Sequence, residues 1–178
     1  MLKTRLIATI VIKDGMVVQS FNFERYLPIG NPKYTVEFLS KWDIDEIVIL
    51  DIDASIRNKE PDYKMIELIS HNTFIPLTVG GGITSPKVAK KVIDSGADKI
   101  TINTHALKFP ELISDIACSL GNQSVVVSID AKKNEANQYE VYSFSGVDSI
   151  LKDVLMWAKK CEELGAGEIL LNSVDNDG

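Results

Sequence analysis

The stretch Glu46-Ile-Val-Ile-Leu-Asp51 is an unbroken apolar run with an acidic residue at each end. Near-continuous runs of Val, Ile and Leu are typical of parallel strands that helices cover on both faces, whereas half-exposed strands alternate apolar and polar residues. Five further runs of similar character lie before and after it: Arg5–Ile12, Phe74–Val79, Lys99–Asn103, Ser124–Asp130 and Glu168–Asn172. The sequence therefore predicts about six buried parallel strands.

Segments with helical spacing of apolar residues separate these runs. They are Lys33–Trp42, Asp62–Ser70, Ser85–Ser95, Pro110–Leu120 and Leu151–Leu164. Ser85 and Pro86 favour a helix start, because serine caps a first turn and proline suits the first helical position. Gly96 and Gly165 are suited to helix ends. Strands that alternate with helices predict βα units, and therefore an α/β fold with a parallel sheet.

Two short alternating stretches, Met16–Phe23 and Tyr139–Phe144, are predicted to form hairpin strands after the first and fifth strands. They occupy corresponding points of two similar blocks, which indicates an internal repeat of roughly four βα units. Two such blocks make a (βα)8 TIM barrel, a fold that typically needs about 250 residues. The 178 residues supply about six units. We therefore expect residues 1–178 to form a single partial TIM-barrel domain, and the chain to be a fragment or a truncated product.

The composition excludes several classes of protein. Hydrophobic residues make up 45% and charged residues 25%, and the net charge of −6 comes without basic runs, so we expect no nucleic-acid or membrane partner. The longest apolar run near the start, Leu6–Ile12, is too short to span a membrane and lacks a cleavage site. Cys118 and Cys161 are predicted to be free thiols in a reducing cytoplasm. Two histidines and no C-x-x-C pattern predict no metal site.

Two polar loops follow neighbouring strands and predict a phosphate site. In a barrel of this kind the functional residues lie at the carboxyl ends of the strands. Gly81 and Gly82 in the loop after the third strand allow close approach of a ligand to backbone N–H donors, although a plain strand-to-helix turn explains this loop alone equally well. Asn103 and Thr104 add short polar donors after the next strand, with a helix start nearby. Together the two loops favour a phosphate cradle.

Acidic residues also stand at the carboxyl ends of strands. Asp130 ends an apolar run, where burial would raise its pKa and suit it to acid–base chemistry, the alternative being a helix cap or an ion pair with Lys132 or Lys133. Asp175 and Asp177 follow the sixth strand, but an acidic pair before glycine is also common turn chemistry. Asp51 and Asp53 are interpreted as structural.

The chain resembles, over its whole length, the cyclase subunit family of imidazole glycerol phosphate synthase, which has a TIM barrel of the ribulose-phosphate-binding type. The motifs that carry the resemblance are Lys13-Asp14-Gly15, Leu50-Asp51-Ile52-Asp53-Ala54-Ser55, Pro76-Leu-Thr-Val-Gly-Gly-Gly-Ile83, Gly96-Ala-Asp-Lys-Ile-Thr-Ile-Asn-Thr104, Val125–Lys132 and Gly165-Ala-Gly-Glu-Ile-Leu-Leu171. The resemblance implies an enzyme without a cofactor that receives ammonia from a glutaminase (HisH-like) partner and closes an imidazole ring on a substrate with two phosphates.

The resemblance also implies roles for individual residues. Gly81, Gly82, Asn103 and Thr104 would hold one phosphate of the substrate. Asp130 would be one of two catalytic aspartates, and Asp177 a supporting acidic residue near the ring-closing site. At the opposite face, four charged residues match the gate through which ammonia enters, namely Arg5, Glu46, Lys99 and Glu168, and Asp98 matches a position at the glutaminase interface. The alternative for these five is a surface ion-pair network of little energetic value.

Three positions depart from the family pattern. Val11 stands where the family has its other catalytic aspartate, Gln19 replaces a lysine of the first loop, and Asn172 replaces a threonine. This combination resembles paralogous cyclase-like subunits of surface-polysaccharide pathways, which implies addition of glutamine-derived ammonia to a phosphorylated or sugar acceptor. Two alternatives stay open: an authentic histidine-pathway cyclase, and a non-catalytic subunit that activates the glutaminase and conducts ammonia.

Overall fold

The computed structural model of the protein describes residues 4–143 and 148–178. It contains ten strands, which are β1 (Ile7–Lys13), β2 (Met16–Phe21), β3 (Arg25–Gly30), β4 (Glu46–Asp51), β5 (Leu77–Gly80), β6 (Lys99–Ile102), β7 (Val125–Lys133), β8 (Tyr139–Ser143), β9 (Asp148–Asp153) and β10 (Glu168–Ser173). Its α-helices are α1 (Pro32–Leu39), α2 (Ile52–Ile56), α3 (Tyr63–Ser70), α4 (Pro86–Asp94), α5 (Thr104–Lys108), α6 (Glu111–Leu120) and α7 (Val154–Glu163).

Six parallel strands form the main sheet in the order β1-β4-β5-β6-β7-β10, which follows the chain. The sheet curls into an incomplete (βα)8 barrel with helices between successive strands, as the sequence predicts. Two antiparallel hairpins extend it: β2 and β3 continue from β1, and β8 and β9 continue from β7. All carboxyl ends of the parallel strands therefore meet at one face, where the candidate site lies. The assignment of residues 1–178 to one domain stays a prediction.

The strand β4 shows why the sheet separates an outer core from an inner surface. Ile47 and Ile49 are fully buried on the outer face, which the helices cover. Glu46, Val48 and Leu50 alternate with them and lie on the inner face, because successive side chains of a strand point to opposite sides. The same alternation on the other parallel strands gives an apolar outer core and an inner surface that contains polar residues, except on β10, where Ile169 and Leu171 are exposed.

Local sequence signals fix the helix α4 as predicted. The side chain of Ser85 accepts a hydrogen bond from the backbone N–H of Val88 at 3.3 Å, and Pro86 occupies the first helical position. Val88 and Val92 are buried on one face of the helix. After the C-cap residue, Gly96 has φ +107°, which ends the helix as expected.

Several predicted boundaries differ from those in the structure. The predicted strand Met16–Phe23 stops at Phe21 and is followed by β3, which was missed because Pro28 argues against a strand; β3 is the edge of the sheet, where proline is tolerated. The predicted helix to Trp42 stops at Leu39, and the predicted strand from Phe74 starts at Leu77.

The predicted helix Leu151–Leu164 begins only at Val154. Residues 148–153 pair with β8 instead, and the carboxylate of Asp153 caps the helix by accepting from the N–H of Met156 at 2.8 Å. Phe144, the predicted end of the second hairpin strand, lies outside the described residues. The short helices α2 and α5 were not predicted, because five residues carry no periodic signal.

Candidate functional site

A pocket lies at the carboxyl ends of the parallel strands, where the loops after β4, β5 and β6 meet the hairpin of β2 and β3. Residues from most of the parallel strands contribute to it, and several were singled out in the sequence. Its lining includes Val11, Ser20, Phe23, Tyr26, Asp51, Ser55, Gly81, Gly82, Asn103, Thr104, His105, Ser128, Asp130 and Asn172. The residues of the predicted phosphate cradle and Asp130 are thus brought together in one pocket.

Asp130 lies on β7 and is only 4% exposed. Each of its carboxylate oxygens accepts one amide hydrogen bond: Oδ2 from Nδ2 of Asn103 at 2.9 Å and Oδ1 from Nδ2 of Asn172 at 2.8 Å. Burial raises the pKa of Asp130 above its ordinary value, and the hydrogen bonds from Asn172 and Asn103 oppose this effect.

The structure shows neither a helix cap nor an ion pair with Lys132 or Lys133 at Asp130. The carboxylate contacts amides and caps no helix. The ammonium groups of Lys132 and Lys133 lie instead over the rings of Tyr142 and Tyr139, at 5.6 and 5.3 Å from the ring centroids. The carboxylate therefore lies in a neutral, hydrogen-bonding environment, which suits it to exchange a proton with a bound ligand.

The glycine loop after β5 packs closely against the loop after β4. Gly81 and Gly82 both have positive φ, and a Cβ atom on them would overlap the carbonyl oxygens of Asp51 and Lys59 respectively. The backbone N–H of Gly82 lies 3.4 Å from Oγ of Ser55, a pocket residue that sequence reasoning missed. The glycines are therefore required by the fold of the loop as well as by any ligand that the loop would hold.

Asn103 and Thr104 lie beside this loop, at the end of β6. The amide of Asn103 donates to Asp130 and does not cap α5, which begins at Thr104. Because α5 has only five residues, the helix start expected to favour phosphate contributes little to this site. Oδ1 of Asn103 and Oγ1 of Thr101 are buried without a hydrogen-bond partner. A bound ligand could satisfy both atoms.

Asp51 and Asp53 have structural contacts, in agreement with the interpretation from sequence. The side chain of Asp51 caps α2 by accepting from the N–H groups of Asp53 and Ala54, at 3.0 and 3.1 Å. Burial raises the pKa of Asp51, and these two hydrogen bonds counteract the rise. The carboxylate of Asp53 accepts from the N–H of Asp14 and forms an ion pair with Arg57, so it ties the turn after β1 to α2.

Asp177 lies against the first hairpin and is not part of the pocket lining. Its carboxylate accepts from Oγ of Ser20 at 2.6 Å and from the N–H of Phe23 at 2.9 Å, and its carbonyl oxygen accepts from the N–H of Asn22 at 3.0 Å. Asp177 therefore lies just outside the pocket, where it holds Ser20 and Phe23, and these two residues do line the pocket.

The four residues of the predicted gate meet at the amino ends of the strands. Glu46 lies 3.3 Å from Arg5 and 3.0 Å from Lys99, and Glu168 lies 3.4 and 2.8 Å from the same two groups. Oγ1 of Thr78 also donates to Glu46, whose side chain is only 2% exposed. Burial alone would lower the pKa of Lys99, but its hydrogen bonds to Glu168 and Glu46 and their negative charges raise it overall. A network with a buried carboxylate differs from an ordinary surface ion pair.

Asp98 lies at the same face, just before β6. Its carboxylate accepts from the N–H of Leu77 at 2.8 Å, and its own N–H donates to the carbonyl of Leu77 at 2.8 Å. Asp98 is exposed. Its direct contacts therefore stabilise the start of β5, and a role at a partner interface stays a prediction.

Two further pocket residues were missed by sequence reasoning. Tyr26 lies on the missed strand β3, its hydroxyl donates to the carbonyl of Phe23, and the ammonium of Lys13 lies 4.2 Å from its ring centroid. Burial and the negative charge of Asp177 raise the pKa of Tyr26. Burial and Lys108 lower the pKa of His105, so its imidazole is neutral at pH 7. A correct assignment of the hairpin would have placed Tyr26 at the pocket.

The described residues contain neither a candidate metal cluster nor a helix suited to a membrane. No cluster of three or more His, Cys, Asp or Glu side chains in residues 4–143 and 148–178 could hold a metal ion. None of the helices described has the length and apolar character needed to cross a bilayer.

A parallel sheet that carries a polar pocket at its carboxyl ends and an ion-paired cluster at its amino ends defines a protein of the (βα)8-barrel class. The sequence model described as histidine biosynthesis protein matches residues 5–178, and the chain belongs to this family. The predicted resemblance to the cyclase subunits is thereby confirmed at the level of the family.

The chain is similar to several curated proteins. It is 47% identical over 178 residues to a Vibrio vulnificus (strain YJ016) protein named as imidazole glycerol phosphate synthase subunit hisF2, covering 100% of this chain and 65% of that protein. It is 46% identical over 179 residues to the subunit HisF of Lactococcus lactis subsp. cremoris (strain SK11), covering 100% and 69%. It is 45% identical over 178 residues to HisF of Chlorobium luteolum (strain DSM 273 / BCRC 81028 / 2530), covering 100% and 70%. The chain thus spans about two thirds of the length of these relatives.

Proposed function

We propose that the protein is an ammonia-using synthase subunit of the cyclase type. A glutaminase partner would dock at the amino face and release ammonia at the cluster of Arg5, Glu46, Lys99 and Glu168. The ammonia would then react with an acceptor in the pocket at the opposite end of the same strands. Two features carry this proposal: a charged cluster with a buried carboxylate lies at one end of the parallel sheet, and a pocket that contains Asp130 lies at the other.

In this proposal Asp130 is the catalytic base. When ammonia attacks an electrophilic carbon of the acceptor, such as a carbonyl carbon, a C–N bond forms, the electron pair of the C=O π bond moves to the oxygen, and the nitrogen acquires a positive charge. The nitrogen then releases a proton, which Asp130 accepts. A buried carboxylate near neutral amides suits this step, because its raised pKa brings its proton affinity closer to the working pH.

The acceptor is proposed to be a phosphorylated small molecule or a sugar rather than the histidine-pathway substrate. Val11 lines the pocket at the position where the resemblance implies a second catalytic aspartate, and valine exchanges no proton. The cradle of Gly81, Gly82, Asn103 and Thr104 would hold one phosphate. A change at the reacting centre with the remaining site retained supports a reassigned acceptor, such as a sugar that is aminated for a surface polysaccharide.

Two other functions have specific support. Several relatives that are 44–46% identical are named as HisF subunits of imidazole glycerol phosphate synthase, which favours an authentic histidine-pathway cyclase. The presence of Val11 favours a subunit that only activates the glutaminase and conducts ammonia. These candidates differ in the product that they make, so one experiment separates them.

The test follows the amide nitrogen of ¹⁵N-glutamine with the full-length protein, its glutaminase partner and a set of acceptors. We expect ¹⁵N in an aminated sugar or sugar phosphate, and loss of that product in Asp130→Asn with glutaminase stimulation retained. Imidazole glycerol phosphate formed at a rate that Val11→Asp hardly changes would indicate an authentic cyclase. Glutaminase stimulation without any labelled product would indicate a non-catalytic subunit.

A further inference from the structure

The amide of Asn172 has two hydrogen-bond partners on the neighbouring strand β7. Its Nδ2 donates to Oδ1 of Asp130 at 2.8 Å and to Oγ of Ser128 at 3.1 Å. Asn172 and Asp130 are opposite each other in the parallel pairing of β10 and β7, and Ser128 precedes Asp130 by two residues on the same face. Because rigid strands position all three side chains, the amide hydrogens of Asn172 face Asp130 without a change of rotamer.

The other amide at Asp130 is less constrained. Asn103 donates to Oδ2 through Nδ2, while its Oδ1 is buried without a partner. Rotation of this amide by about 180° would present an acceptor to Asp130, so Asn103 is compatible with a protonated carboxyl group. Asn172 shares its Nδ2 between Oδ1 of Asp130 and Oγ of Ser128, so rotation of its amide would exchange both contacts at once. In the observed orientation Asn172 donates to Asp130 and therefore favours the carboxylate over the carboxylic acid.

The remaining groups around Asp130 cannot take over this task. The titratable residues that line the pocket with it are Asp51, Tyr26 and His105, and no Lys or Arg is among the described lining residues. Asp51 would favour the protonated form of Asp130, and His105 is neutral at pH 7 because burial lowers its pKa. Tyr142, the partner of Asp130 on β8, is itself covered by the ammonium of Lys132.

We propose that Asn172 is a positioning residue for Asp130, which keeps the buried carboxylate ionised and turned toward the pocket so that it can act as a base. The role of Asp130 as a base rests on the proposed function. The effect of Asn172 on the ionisation of Asp130 does not depend on that function. Val11 offers no carboxylate with which Asp130 could share a proton, so the ionisation of Asp130 depends on the donors that contact it.

The test is a pH titration of the ¹³C-labelled carboxyl groups of the full-length protein by NMR, with the signal of Asp130 assigned from Asp130→Asn. Asn172→Leu and Asn172→Val both remove the donor, and either folded variant is sufficient for the test. We expect loss of this hydrogen bond in the Asn172 variants to raise the pKa of Asp130 by about one to two units, since a hydrogen bond to a charged group has a free energy of that order. Asn176→Leu is the control, because Asn176 donates to Ser173 on the exposed surface; it should leave the value unchanged.

An unfolded variant cannot give the expected result. In an unfolded chain Asp130 has the ordinary pKa of aspartate, which lies below its raised pKa in the folded protein. An unchanged pKa of Asp130 in a folded Asn172 variant would overturn the proposal. The titration needs no ammonia, acceptor or glutaminase. A positive result therefore stands even if the proposed function fails, and a negative result leaves the proposed function untouched.

Discussion

At the residue scale, Asp130 combines two opposing influences on one carboxylate. Burial favours its neutral form, while Asn103 and Asn172 favour its charged form. The sequence predicted the burial, because the residue ends an apolar run. The amides could not be predicted, because Asn172 lies 42 residues further along and meets Asp130 only through the pairing of β7 with β10.

The pH dependence of the reaction should report this carboxylate. A base acts only when it is deprotonated, and the pKa of Asp130 is raised from the ordinary value of 3.8. Activity should therefore fall, as the pH is lowered, at a higher pH than an exposed aspartate would give. The measurement is kcat/KM as a function of pH with the preferred acceptor. An acid limb at or below the ordinary aspartate value would contradict the assignment.

Gly82 offers a second test at this scale, with Gly15 as a matched control. The two residues have φ of +71° and +74°, but a Cβ would meet the backbone of the loop after β4 at Gly82 and nothing within 4 Å at Gly15. Gly15→Ala should lower the free energy of unfolding by about 1–2 kcal/mol through its backbone conformation alone. Gly82→Ala should cost clearly more and weaken binding of inorganic phosphate. Equal losses of stability in urea unfolding would show that the close approach is unimportant.

At the scale of elements, two acidic residues after β10 fasten the two hairpins. Asp177 accepts from Ser20 and Phe23 of the first hairpin, and Asp175 accepts from the N–H of Lys133 at 2.9 Å, next to the second. Sequence reasoning treated this tail as a turn or a catalytic accessory, because nothing local showed that its carboxylates bind residues far away in the chain.

Loss of one of these contacts should loosen one hairpin only. Asp177→Ala removes the acceptor of Ser20 Oγ and of the Phe23 N–H, so amide exchange should accelerate in β2 and β3, with a loss of about 1–2 kcal/mol in the free energy of unfolding. Asp175→Ala is the matched control and should accelerate exchange near Lys133 instead. Hydrogen exchange followed by mass spectrometry measures both. Unchanged protection of β2 and β3 in Asp177→Ala would exclude the fastening role.

At the scale of the whole molecule, the order and the positions of the parallel strands were predictable, because such strands have continuous apolar sequences. Glu46–Asp51 is reproduced residue for residue. The hairpins were predictable only in part, because β3 contains Pro28 and residues 148–153 have no alternating pattern. Boundaries failed where long-range pairing outweighed the local signal.

The charged cluster at the amino face connects strands that are far apart in sequence, and its loss should destabilise the whole molecule. Lys99→Met leaves the buried Glu46 with Arg5 as its one remaining ion-pair partner among the described residues, and should cost about 3 kcal/mol in free energy of unfolding. Lys90→Met is the control. It breaks an exposed pair with Asp94, which is worth about 0.5 kcal/mol or less.

The loss of stability in Lys99→Met, compared with that in Lys90→Met, should depend on pH in a defined direction. The folded protein raises the pKa of Lys99 above its ordinary value of 10.5. Its contribution should therefore be fully present below pH 10.5 and disappear as the pH rises through the raised value. Thermal unfolding of both variants at pH 8 and above pH 11 measures this. A difference between them that persists undiminished at the higher pH would contradict the ion-pair explanation.

The contact between Ser20 and Asp177 spans 157 positions of the chain. During translation the first hairpin leaves the ribosome long before its fastening residue exists. At 5–20 residues per second, this interval is roughly ten to thirty seconds. Throughout that time the hairpin lacks the carboxylate to which Ser20 and the N–H of Phe23 donate, and Asn172 of the pocket is also still missing for almost all of the interval. Synthesis itself thus makes the pairing of the first hairpin with β1 possible long before the carboxylate that fastens this hairpin is present.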